Sequence, residues 1–312
     1  METHSGKTLA EIQFPVKLQN LFFGEKKDSK KKLYSGYKCL LNANTDHPIS
    51  IVSNSYQIIT HAQAYKLGLE CMTKLFRVNQ DEISVFKITS SSNCSIVFID
   101  LLHKSYEINI WNEEVYVPYI RITNSYNKTR ALRFDLGFVR KLCSNGCIFE
   151  QQTIQFNFPH TKKAIGNEIE FDLPPGKMEK FKTEFENYLN GIKNFTIDES
   201  QMFSLFLKAI NYNISEIKKS NATIKRYNDL KTDAGRLLAK YEEVFGKSAY
   251  TVFNAATDYA STRLNKDKST SIVTSGLQRK CGNWLIEFNA EKSKNNFSLN
   301  SYLGEFAEYK LN

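Results

Sequence analysis

No run of the sequence approaches the roughly 18 consecutive apolar residues that a membrane-spanning helix needs, so no membrane partner is expected. The opening segment, Met1 to Ala10, is polar and holds no apolar signal core, which points to a cytoplasmic protein. Histidine is scarce, and the five present include no pair at i, i+3 or i+4, so there is no helix-borne zinc pair and no histidine cluster. The glycine signatures are missing as well. No Gly-x4-Gly-Lys-Ser/Thr phosphate loop, Gly-x-Gly-x-x-Gly turn or Gly-x-Ser-x-Gly elbow occurs, which removes the common ATPase, dinucleotide-binding and hydrolase classes. The six cysteines (Cys39, Cys71, Cys94, Cys143, Cys147, Cys281) are scattered, mostly inside apolar runs. Buried free thiols in a reducing compartment are expected rather than disulfides. Three residues separate Cys143 from Cys147, which is not zinc-knuckle spacing, and no second Cys or His pair lies near. No metal, no cofactor and no enzymatic activity is expected.

What the chain does have is positive charge and aromatic surface. Lysine and arginine number 42 against 33 acidic residues, a formal charge of +9. Such an excess favours DNA, RNA or an anionic surface, although a lysine-rich composition produces it too. Hydrophobic residues make up 41% and aromatics 13%, enough to offset chain entropy and fold. With 312 residues, one core with a helical extension or two packed subdomains are the natural arrangements.

Along the chain, Lys26, Lys27, Lys30, Lys31 and Lys32 form a cluster that reads as an exposed loop, either solvated or laid on phosphate. Thr60 and Gln63 make a reciprocal cap for a helix running to about Phe76, with Ala64, Leu67, Cys71, Met72 and Leu75 on one apolar face. Residues 83–158 read as an antiparallel meander with strands near 83–89, 94–102, 106–111, 115–123, 130–139 and 147–158. Alternation sets Leu132, Phe134, Leu136 and Phe138 towards a core, with Arg133 and Asp135 towards water. After Pro174-Pro175-Gly176 the period becomes helical through Met178, Phe181, Phe185 and Ile192. Further helices are expected near 199–211, 223–245, 248–264, 276–288 and 299–311.

Arg121, Arg130, Arg133, Arg140 and Lys141 interleave with Tyr116, Tyr119 and Tyr126 in the strand region. A sheet face with arginines and aromatics can hold phosphates while stacking bases; half-buried tyrosines beside ordinary surface charges are the alternative.

Three segments together resemble the phage/plasmid-like family catalogued as domain of unknown function 932. The first is Val52-Ser53-Asn54-Ser55-Tyr56-Gln57-Ile58-Ile59. The second contains Asn124-Ser125-Tyr126-Asn127-Lys128-Thr129, Arg140-Lys141-Leu142-Cys143-Ser144-Asn145-Gly146 and Pro159-His160-Thr161. Here Tyr126 and Asn127 stand where the family turn has His and Asp. The third is Tyr250-Thr251-Val252-Phe253-Asn254-Ala255-Ala256-Thr257-Asp258-Tyr259. The resemblance implies structural roles for Asn124, Ser125, Arg140, Cys143, Asn145, His160, Asn254, Thr257, Asp258 and Tyr259, and an accessory protein of phages, plasmids or integrated elements.

The sequence therefore predicts an α+β protein in which an antiparallel meander with packed helices precedes a mainly helical C-terminal half. Residues 1–47 form an N-terminal segment with the basic loop, 48–173 a β-rich core and 174–312 a helical region. The function expected is nucleic-acid binding, with single-stranded DNA favoured, in a recombination context and with annealing as a homo-oligomer. Its expected contacts are the five loop lysines with Arg121, Arg130 and Arg133, and Tyr119 and Tyr126 stacking. A module binding a host protein is the alternative. A nucleic-acid enzyme would require carboxylates such as Asp135, Asp172 or Asp258 to meet in one cleft.

Overall fold

The structure, a computed structural model, describes residues 7–23, 32–111, 114–141, 146–149, 155–161, 171, 176–217, 219–262 and 271–311. In chain order the elements are α1 (Leu9–Ile12), β1 (Val16–Phe23), β2 (Lys32–Asn42), β3 (Pro48–Ser53), α2 (His61–Phe76), β4 (Ile83–Ser90), β5 (Ile96–His103), β6 (Ile108–Trp111), β7 (Glu114–Ser125), β8 (Leu132–Arg140), β9 (Gly146–Ile148) and β10 (Gln155–Phe158). The helices α3 (Lys177–Lys193), α4 (Glu199–Ala209), α5 (Asn221–Phe245), α6 (Ala249–Thr262), α7 (Ser271–Lys292) and α8 (Leu299–Leu303) follow. The fold is α+β, as the change of period after Pro175 indicates. Among the described residues no helix is long and apolar enough to cross a membrane.

Two compact units share the chain. The first comprises Met1–Tyr106, Pro118–Leu136 and Ile154–Pro175; the second comprises Glu107–Val117, Gly137–Thr153 and Gly176–Asn312. The boundaries at Val117/Pro118 and Leu136/Gly137 fall inside β7 and β8.

In the first unit β10, β8, β7, β5 and β4 lie side by side in that order, and β1, β2 and β3 make a separate three-stranded sheet. Thr60 caps α2 through the reciprocal bonds with Gln63, as the sequence predicts. Its buried stripe is Ala64, Gly68, Cys71, Met72 and Leu75, with Gly68 inside it and Leu67 only half-buried. A methyl group on Gly68 would sit 2.0 Å from Ile122 Cδ1, so the missing side chain is what lets the helix rest on β7. The strands β1 and β2 were not among the expected elements: the sequence reads residues 1–47 as an N-terminal segment with a lysine loop at 26–32, whereas Lys32 opens β2.

The meander also corrects one expectation. Alternation along β8 holds, but its second face is not wet. Asp135 is fully buried and accepts a 2.6 Å bond from Arg133 Nε, whose side chain is only 20% exposed. Asp100 and Arg121 pair directly across β5 and β7, and Lys87 lies opposite Asp100 on β4, so a charged row crosses this sheet.

The second unit is built around α6, in which Ala249 to Ala260 are all buried, as befits a helix packed by α3, α4, α5 and α7. Phe185 of α3 stacks on Phe138 at 4.0 Å, and Phe149 meets both edge-on. A Cβ on Gly282 would lie 2.1 Å from the Ile148 carbonyl oxygen, so that glycine sets how closely α7 approaches β9.

Candidate nucleic-acid interface

Within the first unit, β3 ends at Ser53 and the chain turns through Asn54 and Ser55 to Tyr56, which bridges to Thr161. Tyr56 donates its hydroxyl to the Ser125 carbonyl at 2.8 Å and stacks on His160, ring centroids 5.0 Å apart. His160 returns a contact at 3.1 Å from Nδ1 to the Gln57 carbonyl. Beyond Ser125 the turn closes because the Ser125 hydroxyl accepts from Arg130 N and donates to Arg130 O, while Asn127 Oδ1 accepts from Thr129 N and its hydroxyl. Lys128, at the apex, holds a left-handed φ of 63°. These three stretches of chain enclose a cleft of about 560 Å³ lined by Ser53, Asn54, Ser55, Tyr56, Lys128, Arg130, Ala131, Pro159, His160 and Thr161.

Beneath the turn lies a buried polar knot. His61 Nε2 is 2.8 Å from the Cys94 carbonyl, which only accepts, so Nε2 carries the proton and Nδ1 accepts from Asn124 Nδ2 at 2.9 Å. The His61 backbone N–H donates to Tyr126 Oη at 2.9 Å, and the two rings lie 3.9 Å apart. Burial lowers the His61 pKa to about 4, against the backbone bond to Cys94, which raises it; His160 adds to the lowering. Burial likewise pushes Tyr126 up to about 12.

Beside the cleft, β2 departs from regularity. Asn20 pairs with Lys38 but Phe22 with Leu33, so two steps along β1 face five along β2. The surplus breaks the alternation that would send residues three apart to opposite faces. Tyr34 and Tyr37 consequently stack at 5.6 Å, 48% and 41% exposed, with Lys128 Nζ 5.2 Å from the Tyr37 ring. Asn54 Nδ2 bonds the Ser35 carbonyl and ties this strand to the rim of the cleft. Among the described residues neither Lys128 nor Arg130 has a carboxylate partner, and both are exposed.

The family model described as Domain of unknown function (DUF932) matches residues 48–281. The chain belongs to this family. No curated protein and no solved structure matches it. The three segments of the first unit that the sequence resemblance rests on, 52–59, 124–129 and 159–161, supply most of the lining of the cleft, with Arg130 and Ala131 beside them.

The remaining positions that the sequence resemblance singles out lie in the second unit or outside the described residues. Arg140 grips Glu114 with two bonds, Nε to Oε2 at 2.6 Å, and lies over the Phe245 ring at 5.1 Å. Tyr250 donates to the same carboxylate at 2.7 Å and meets Tyr116 Oη at 2.8 Å. Asn254 and Thr257 bond carbonyls of their own helix, Asp258 accepts from Lys240 and Tyr241 of α5, and Tyr259 packs edge-on against Phe206. Cys143 and Asn145 lie outside the described residues, as do Lys26, Lys27, Lys30, Lys31 and Asp172; only the backbone of Lys32 is described.

The expected surface contacts divide. Arg130 is exposed at the cleft. Arg121 is 5% exposed and holds Asp100 with two 2.6 Å bonds, so it is neutralised inside the sheet and does not face solvent. Arg133 is spent on Asp135. Tyr119 and Tyr126 are 1% and 0% exposed, which denies their faces to a base. Sequence reading missed Tyr34, Tyr37 and Lys128, whose signal, two tyrosines three apart beside a glycine, looks like a loop until the extra residues in β2 are seen.

Proposed function

We propose that the protein binds single-stranded nucleic acid, DNA by preference, along the surface that runs from Tyr34 and Tyr37 to Lys128 and Arg130. The observation that carries this reading is the stacked, half-exposed tyrosine pair with Lys128 over Tyr37 and Arg130 two residues further on, both cations exposed and without a carboxylate partner among the described residues. Exposed aromatic faces stack any base, and lysine and arginine neutralise the phosphates between them. The segment joining β1 to β2 in sequence adds Lys26, Lys27, Lys30 and Lys31 to the same part of the chain. In a mobile-element context such a protein would protect or anneal strands.

Fluorescence anisotropy of labelled oligonucleotides tests the proposal. Affinity should fall steeply with salt, and Lys128→Ala with Arg130→Ala should flatten the slope of log K against log salt by about 1.4, roughly 0.7 for each single-strand phosphate contact. Tyr34→Ala with Tyr37→Ala should weaken binding at every salt concentration. Absence of binding even at low salt would remove the reading.

A second reading draws on Phe22, Leu33 and Ile51, which are 57%, 52% and 59% exposed on the three-stranded sheet and would suit a protein partner, a second copy or a host factor. Sedimentation of the chain alone, and capture of partners after nuclease treatment, separate this from the first: only a nucleic-acid binder loses its partners with nuclease.

A further inference from the structure

The cleft of the first unit has features that a flat track for a polymer does not need. Among the described residues, the charged ones that line it are Lys128 and Arg130, and no carboxylate does. Ser53, Asn54, Ser55 and Thr161 line it with neutral polar groups, while Ala131, Pro159 and Tyr56 add apolar surface. Its volume of about 560 Å³ suits a compound of nucleotide size.

His160 is the second, independent observation. The residue is 8% exposed, and its Nδ1 faces the Gln57 carbonyl at 3.1 Å. A carbonyl only accepts, so Nδ1 carries the ring proton and Nε2 is left with a lone pair. Burial holds the ring below the usual histidine range and hence neutral near pH 7, partly offset by the Gln57 bond. That Nε2 is buried and has no hydrogen-bond partner among the described residues. Buried acceptors left unmatched are costly, and since no described residue supplies a donor, a ligand N–H or O–H in the cleft that His160 lines would satisfy this one.

We infer that the cleft is a discrete site for one nucleoside monophosphate unit, with its phosphate at Lys128 and Arg130 and a ligand N–H or O–H offered to His160 Nε2. The inference rests on the nucleic-acid reading only for the assignment of those two cations to phosphate. The unit is either a free nucleotide or the phosphorylated end of a strand, and both present the same chemistry.

Calorimetry on the full chain at low salt, with dAMP, inorganic phosphate, and oligonucleotides bearing either a 5′-phosphate or a 5′-hydroxyl, tests it. The expected result is that dAMP binds about tenfold or more tightly than phosphate, as one added buried hydrogen bond requires. His160→Phe, which keeps the ring but not the lone pair, should lose about that factor. If that variant does not fold, the exposed pair Lys128→Gln and Arg130→Gln carries the test and should abolish dAMP binding. A 15N shift of His160 Nε2 on adding dAMP to the parent chain reads the contact directly. Tighter binding of the 5′-phosphorylated oligonucleotide assigns the site to strand ends, and equal binding of both oligonucleotides assigns it to free nucleotide. If dAMP binds no better than phosphate, or leaves Nε2 unmoved, the site is not a nucleotide pocket, whether or not oligonucleotides bind along Tyr34 and Tyr37. Binding of dAMP without oligonucleotide binding keeps the pocket and removes the polymer reading.

Discussion

Replacing Arg121 by methionine separates two roles that its position in the sequence leaves open. In the structure the guanidinium is buried and bonds both oxygens of Asp100, itself 3% exposed. Burial alone would depress the Arg121 pKa, but Asp100 foremost, with Tyr119 and Asp135, holds it above its ordinary value. Removing the cation leaves a carboxylate in the interior of the sheet with no compensating charge of equal quality. Breaking a buried pair in this way costs about 3–5 kcal/mol. At about 2–4 °C per kcal/mol for a folded unit of moderate size, the unfolding midpoint should drop by about 6–20 °C. Arg121→Met combined with Asp100→Leu should recover most of this, since a well-packed apolar pair commonly replaces a buried ion pair at little cost. Thermal unfolding followed by circular dichroism, alongside oligonucleotide anisotropy on the folded variants, measures both consequences. An unchanged midpoint together with weakened binding would mean that Arg121 reaches phosphate, and the burial argument would be wrong.

Two further predictions follow from the first unit. Gly68→Ala should destabilise by about 1–3 kcal/mol through overpacking, because the new methyl meets Ile122 Cδ1 at 2.0 Å; Ile122→Val, which deletes that atom, should relieve part of the loss. A higher urea midpoint for Gly68→Ala alone would show that the helix shifts freely over the strand. His61, lowered by burial from 6.5 to about 4, favours folding fully above pH 6.5, and that stability is lost as pH falls towards 4. The loss should reach about 2 kcal/mol by about pH 5, with the burial-lowered His103 and His160 acting in the same direction. Histidine NMR titration checks it: a folded-state His61 that protonates near 6.5 would contradict the neutral, hydrogen-bonded ring.

Much of the fold was legible because its signals are local. The Thr60/Gln63 cap, the stripe of α2, and the helical period from Met178 to Ile192 each lie within a few turns of chain, and the meander between Ile83 and Phe158 shows itself through alternation. The cleft was half legible. His160 and the segments around Tyr56 and Asn124 could be singled out by resemblance, but their meeting is a matter of long-range pairing that no window of sequence contains. Alternation puts Arg133 and Asp135 on one side of β8 and says nothing of what covers that side, nor of the partner that stands opposite Arg121. Asp100 neutralises Arg121 because the register of β5 on β7 sets them abreast, whereas Arg133 and Asp135 are two apart on one face of β8, a neighbourhood that the sequence does show while hiding its burial. The Tyr34 and Tyr37 pair depends on surplus residues in β2, which is likewise a property of two strands together.

The course of the chain has an evolutionary consequence. Two of the five crossings between the units fall inside β7 and β8, and neither unit corresponds to one uninterrupted stretch of coding sequence. A recombination event that ended at either of those two points would divide a single strand between two parental sequences rather than exchange a whole module.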